Sequence, residues 1–200
     1  MDLEAPLKPE VLRPLITLIV PGTIAVGPFV LVTGHYVAAV QAFWTEHPSA
    51  FTVLLALTVL AVGFMIDDFA TNIEAWLWDP LLSRRSKHHM EDWNRYLKLQ
   101  LSDELVGHRY LRTKLTQLKF ELAMPPALVI FAVGVLWLNA IFGFWSWLAM
   151  AGIETAIVAV AVYLLCESLQ TAALLSKTRR RILEAIDEGV HGIHPRRSVV

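Results

Sequence analysis

The sequence has little that would indicate a soluble enzyme. Cys166 is the single cysteine in 200 residues, which excludes an internal disulfide and a cysteine-rich zinc site. The sequence contains no glycine-rich phosphate-binding loop and none of the patterns HExxH, CxxC and GxSxG. Charged residues make up only 18% of the chain, whereas a soluble domain has about 25%. We therefore expect no ordinary water-soluble fold, no cofactor and no metal.

The abundant feature is apolar sequence, at 56% of the residues. Residues 14–34 and 48–66 contain no ionisable side chain, and each is close to the roughly 20 residues that a membrane-spanning helix needs. A third uncharged stretch, 122–153, is too long for one such helix. It contains Gly143 and the aromatic sequence 144–147, which is typical of a turn at the lipid headgroups.

We interpret this third stretch as a hairpin, with helix 3 at about 125–143 and helix 4 at about 147–170. The predicted fold is all-α: a polytopic membrane protein with four transmembrane helices and a cytoplasmic helical extension between helices 2 and 3. Helix 1 carries Pro14, Pro21 and Pro28, each of which leaves a carbonyl without its usual donor. We interpret it as a kinked helix that packs closely in a bundle or an oligomer; the alternative is a broken helix whose free carbonyls coordinate an ion.

Lysine and arginine predict the orientation. If the N-terminus is inside, all 17 basic residues lie inside, and the loops 34–48 and 144–147 carry none. The positive-inside rule then places both termini in the cytoplasm. We expect a multi-pass protein of a bacterial inner membrane, without a cleavable signal peptide.

The segment between the second and third spans is too long for a plain loop. Helix 2 is predicted to continue to about Asp79, where Asp-Pro ends it. Leucines then recur at steps of three and four from Leu97 to Leu122, which indicates one apolar helix face. Pro125 and Pro126 are expected to begin helix 3, because proline suits a first helical turn. The leucine face needs partners, and the helix 2 extension, the C-terminal segment and other subunits are available.

Four regions follow from these patterns. They are transmembrane helices 1 and 2 (1–70), a cytoplasmic helical region (71–123), the transmembrane hairpin (124–170), and an amphipathic helix with a disordered tail (171–200).

Acidic side chains near the inner membrane boundary are candidate ion-binding groups, because ionisable residues are costly in hydrocarbon. Asp67 and Asp68 end the second apolar stretch, and Glu74 lies on the same helical face as Asp67. One interpretation is an acidic vestibule for a cation or proton. The other is a set of interfacial carboxylates paired with basic residues such as Arg112 and Lys119.

Asn139 and Glu154 form a second candidate polar membrane site. They lie at similar distances from the turn near Ser146, so a hairpin allows the Asn139 amide to meet the Glu154 carboxyl. Such a pair would line a pore or proton path, or it would be a packing pair.

A basic stripe on the leucine helix is a candidate for binding headgroups or a protein partner. Arg109, Arg112 and Lys119 lie beside His108, which interrupts the leucine pattern. Anionic lipid headgroups account for this stripe, and a phosphate-bearing ligand would as well. Nucleic acid is not an expected partner.

Three functional hypotheses follow. The first is a non-catalytic homo-oligomer: a scaffold, sensor or pore-forming accessory with a cytoplasmic helical module. The second is a membrane enzyme acting on a lipid or phosphate substrate, in which Asp67, Asp68, Glu74 and a histidine (His88, His89 or His108) would hold a divalent cation. The third is a membrane anchor that recruits a soluble cytoplasmic protein.

Overall fold

The structure is a computed structural model that describes residues 9–78, 80–81 and 106–192, with side chains described for 16–78, 80–81 and 111–184. This part of the chain is all-helical and contains no strand. Its five α-helices are α1 (Pro9–Tyr36), α2 (Ala38–Glu46), α3 (Pro48–Ile73), α4 (Val106–Phe142) and α5 (Trp147–Gly192). A π-helical segment, Glu74–Trp78, extends α3.

Four of these helices are long and apolar enough to cross a membrane, as predicted. The apolar spans are Ile16–Tyr36, Pro48–Trp78, Leu111–Phe142 and Trp147–Glu184. The last three exceed the roughly 20 residues that a bilayer requires. The helical winding of the second span continues to Trp78, in agreement with the predicted extension, and Asp79 lies outside the described residues.

The predicted start of helix 3 at Pro125 is wrong. Both Pro125 and Pro126 lie inside the continuous helix α4. Proline lacks an amide N–H, so the carbonyls of Glu121 and Leu122 lose their helical donors. The helix nevertheless continues, because α4 packs against α1, α3 and α5. Tertiary packing of this kind outweighs the local preference of proline for a first turn.

The predicted end of helix 4 near residue 170 is also wrong, because the helix is longer. Helix α5 runs without interruption for 46 residues, from Trp147 to Gly192. At 1.5 Å per residue it is about 69 Å long, more than twice the thickness of a hydrocarbon core of about 30 Å. The boundaries predicted at 123 and 170 therefore fall within α4 and α5.

Glycines allow α1 to approach its neighbours closely. A Cβ atom on Gly22 would collide with the carbonyl oxygen of Val59, and one on Gly63 would collide with that of Leu18. Because these are backbone atoms, α1 and α3 cross at a separation that only glycine permits. Gly134 does the same for α4, where a Cβ would lie 2.7 Å from Cβ of Pro28.

Three leucines of the predicted leucine face of α4 are buried, Leu111, Leu118 and Leu122, whereas Leu115 is 37% exposed. Leu111, Leu118 and Leu122 pack in one apolar cluster with Ala172 and Leu175 of α5. The C-terminal segment, one of the predicted partners, therefore packs against these leucines. Leu97, Leu101 and Leu105 of the predicted face lie outside the described residues. Further residues that pack against the cluster are Val62, Ile73, Trp78, Ala173 and Ile182. In contrast, Trp76 is 80% exposed, so the helix 2 extension contributes only one of its two tryptophans.

The loop at 34–48 contains a helix that we did not predict, α2. The turn between α4 and α5 agrees with the predicted hairpin, since α4 ends at Phe142 and α5 begins at Trp147. Gly143 has a φ of +62°, a left-handed conformation that glycine adopts without strain.

Candidate functional site

The bundle has two chemically different ends. The aromatic end comprises residues 35–51 and 142–147, where the rings of His35 and Phe142 lie 4.5 Å apart. The ring of Trp44 also stacks on that of Phe51, with centroids 5.0 Å apart. The charged end comprises 67–78, 111–121 and 168–184. Candidate polar groups are found at both ends.

At the charged end, Asp67 contacts a basic side chain of the neighbouring helix. Its Oδ2 atom lies 4.0 Å from Nζ of Lys119, and both side chains are partly exposed to solvent. This is the contact expected if Asp67 is a paired interfacial carboxylate. Exposed pairs of this kind contribute only about 0–1 kcal/mol to stability.

The other polar groups of this face of α3 are spread along the helix. Thr71 donates its hydroxyl to the backbone oxygen of Asp67 at 2.9 Å, and Asn72 donates its amide to that of Asp68 at 3.0 Å. Glu74 begins the π-helical segment and is half-buried. Within the described residues, no three or more histidine, cysteine, aspartate or glutamate side chains are grouped to hold a metal ion. His88 and His89 and the side chain of His108 lie outside the described residues.

A line of three polar side chains follows one face of α4. Lys114 Nζ donates to Gln117 Oε1 at 2.8 Å, and Gln117 Nε2 donates to Glu121 Oε1 at 2.6 Å. Glu121 is 4% exposed, and its Oε2 atom is buried without a hydrogen-bond partner among the described residues. The sequence analysis missed this line, although the i, i+3 and i+7 spacing of the three residues is a signal for it.

A hydrogen bond joins the π-helical segment to α5. Trp78 Nε1 donates to Ser168 Oγ at 3.2 Å, and the same hydroxyl donates to the backbone oxygen of Leu165 at 2.8 Å. Ser168 is fully buried. The sequence carries no signal for this contact, since the two residues are 90 positions apart.

The predicted basic stripe is described only in part. Arg112 and Lys119 are exposed at the charged end. The side chains of Arg109 and His108 lie outside the described residues. An apolar groove of about 260 Å³ lies nearby between α1 and α4, lined by Ile16, Thr17, Thr116, Gln117 and Phe120.

At the aromatic end, Asn139 holds the turn between α4 and α5. Its Oδ1 atom accepts the backbone N–H of Trp145 at 2.8 Å, and its Nδ2 atom donates to the Trp145 carbonyl at 3.3 Å. The amide is therefore engaged by the turn, and it does not form the hydrogen bond to Glu154 that we considered. A pocket of about 300 Å³ lies beside it, lined by Leu136, Asn139, Ala140, Trp145, Trp147 and Met150.

Glu154 lies on α5, seven residues after the helix begins, and is half-buried. Its Oε1 atom is buried and has no hydrogen-bond partner among the described residues. The residue shares a helix face with two buried residues, Met150 one turn before it and Ala161 two turns after it.

Comparison with protein-family models, with curated proteins and with solved structures found no match for this chain. The candidate function therefore rests on the geometry alone.

Proposed function

We propose that this chain is an integral membrane protein with a non-catalytic role, an oligomeric scaffold, sensor or pore-forming accessory. Its four apolar helices cross a bacterial inner membrane. Both termini and the charged end lie in the cytoplasm, and the aromatic end lies on the opposite side. The cytoplasmic parts of α4 and α5 form the helical module.

The observation that carries this proposal is the outward-facing apolar surface. Only 17% of the most apolar window of Pro48–Trp78 is buried within the protein, and only 11% of that of Trp147–Glu184. Large side chains such as Leu57, Phe64 and Val158 are more than half exposed. A surface of this size and character requires lipid or another subunit, because a soluble monomer rarely exposes apolar patches above a few hundred Å².

The distribution of charge supports the orientation. Lysine and arginine are absent from 35–51 and 142–147, the sequence of the aromatic end. Arg112, Lys114 and Lys119 are all at the charged end. Aromatic side chains suit the membrane–water interface, and basic residues favour the cytoplasmic side.

The lengths of α4 and α5 support a module that is continuous with the membrane helices. After a core of about 30 Å is crossed, some 39 Å of α5 remain. Leu118, Leu122 and Leu175 belong to one buried apolar cluster, which holds the two helices together at the charged end. A continuous helical connection of this kind suits a scaffold or a sensor. The described residues contain no group of metal ligands that would favour the enzyme hypothesis.

Exposed apolar side chains at the charged end support an oligomer. Phe69 and Trp76 are 56% and 80% exposed, and Trp76 lies beyond the predicted boundary at Asp67. A homo-oligomer would cover such a surface, and anionic lipid headgroups would bind the basic residues beside it.

Two measurements test the proposal. Reporter fusions at the C-terminus and within 37–47 should show a cytoplasmic C-terminus and an external loop. Native mass spectrometry of the detergent-solubilised protein should show a defined oligomer, and Trp76→Ser should weaken it more than the matched change Trp44→Ser at the aromatic end. A cytoplasmic 37–47 loop, or a monomer at micromolar concentration, would contradict the corresponding part.

A further inference from the structure

We propose that Glu154 is a proton-binding site, and that it exchanges its proton with the solution at the aromatic end through the pocket beside Asn139. This inference rests on the membrane placement proposed above and adds to it a ligand and a route.

The first argument is the unsatisfied oxygen. Glu154 Oε1 is buried and accepts no hydrogen bond from a described residue. The nearest polar candidate on α4, Asn139, uses both ends of its amide on the Trp145 backbone. An ionisable side chain at membrane depth is costly and marks a functional site by default. Binding of a proton removes the charge of the carboxylate and requires no additional protein ligands.

The second argument is the isolation of this carboxyl from other titratable groups. Along α4, the helix that packs against α5, no ionisable residue occurs between Glu121 and Phe142. On α5 itself, the next titratable residues are Tyr163 and Glu167, more than two turns further along. At the aromatic end, His35 contacts the Phe142 ring. Protonation of Glu154 is therefore not tied to a nearby ion pair.

The third argument is the route. The pocket of about 300 Å³ opens at the aromatic end and has Met150 in its lining. Met150 is fully buried and lies one helical turn, about 6 Å, from Glu154. Side chains of a helix lean toward its N-terminus, so the side chain of Glu154 starts in the direction of Met150. Glu154 itself is not part of the pocket lining, so the route requires the flexible side chain of Met150 to move.

A hydrophobic carbodiimide, which reacts with protonated carboxyl groups, tests the proton site. The full-length protein in liposomes is treated with dicyclohexylcarbodiimide over a range of pH and analysed by peptide mass spectrometry. We expect modification at Glu154 that falls as the pH rises and disappears in Glu154→Gln. Glu121→Gln, a matched change at the charged end, should leave it intact. Absence of modification at Glu154 at every pH, or modification of Glu154 that does not vary with pH, would overturn the proposal.

Cysteine accessibility tests the route, because Cys166→Ser gives a cysteine-free background. A charged methanethiosulfonate is added to the aromatic side of liposomes carrying Glu154→Cys or, as a lipid-facing control, Val158→Cys. We expect Glu154→Cys to react faster by on the order of tenfold, since charged reagents do not enter hydrocarbon. Ala140→Trp should slow this reaction by filling the pocket.

The two variants separate the possible failures. If Val158→Cys reacts as fast as Glu154→Cys in liposomes, the membrane placement itself is wrong. If neither cysteine variant reacts in liposomes but both react after solubilisation in detergent, the membrane placement stands and the route through the pocket is wrong.

Discussion

Trp78 and Ser168 are joined by a hydrogen bond of 3.2 Å that connects the π-helical end of α3 to a fully buried position on α5. The helices α3 and α5 are thereby fastened at the charged end. Because a π-helix has more residues per turn than an α-helix, the side chain of Trp78, at the end of the segment, points in a different direction from the one a continued α-helix would give it.

Removal of this hydrogen bond should destabilise the protein. Trp78→Phe keeps an aromatic ring but removes the donor, and Ser168→Ala removes the acceptor. We expect each to cost about 0.5–1.5 kcal/mol in the free energy of unfolding, as is usual for one hydrogen bond. Denaturation in detergent measures the change. The double variant should cost less than the sum of the two single variants, and strict additivity would argue against the bond.

The glycine crossing of α1 and α3 should be intolerant of any side chain. Gly63→Ala places a methyl group against the Leu18 carbonyl, a backbone atom that cannot turn aside. We expect a loss of about 1–3 kcal/mol, the usual cost of overpacking. The matched control is Gly27→Ala, because a Cβ there meets nothing within 4 Å. This control should have an equal or higher melting temperature, since alanine favours helix by up to about 1 kcal/mol. Equal effects of the two substitutions would contradict the close crossing.

The turn at the aromatic end should depend on Asn139. Asn139→Ala removes both hydrogen bonds to Trp145, and we expect a loss of about 1–3 kcal/mol. Asn139→Asp keeps an acceptor for the Trp145 N–H and should cost less. Thermal unfolding monitored by tryptophan fluorescence is the measurement. As a control, Asn72→Ala removes one exposed hydrogen bond to the backbone and should have the smallest effect.

The contact between Asp67 and Lys119 should contribute little to stability. Asp67→Asn is expected to change the free energy of unfolding by less than about 1 kcal/mol, with a difference that shrinks in high salt. Unfolding curves in detergent at low and high ionic strength measure it. A larger effect that persists in high salt would indicate that Asp67 has a role in the protein other than this ion pair.

The parts of the fold that were predictable are those determined by solvent. The uncharged stretch 48–66, for example, corresponds to an apolar helix. Its length and its lack of charge can be read from the sequence without knowledge of what the helix packs against. The turn at 143–146 was predictable for a similar reason, since tryptophan and glycine mark it locally.

Features that depend on tertiary contacts were not predictable. Pro125 favours a helix start, and only the burial of α4 against three other helices allows the helix to pass through it. The hydrogen bond from Trp78 to Ser168 depends on the π-helical segment, and no residue pattern in the sequence predicts that segment. Asn139 was identified as a polar residue of interest, but its partner, the Trp145 backbone, follows from the geometry of the turn.

Pro125 and Pro126 give α4 a mechanical property that α5 does not share. Two consecutive carbonyls of α4 lack helical donors there, whereas α5 contains no proline along its whole length. Helices bend most readily at proline, so residues 125–126 form a joint in α4 that α5 lacks. A tilt of about 10° at the joint would displace the start of α4, 19 residues away, by about 5 Å relative to α5. Under the proposed membrane placement, bending at these prolines would shift the proposed cytoplasmic part of α4 sideways relative to α5.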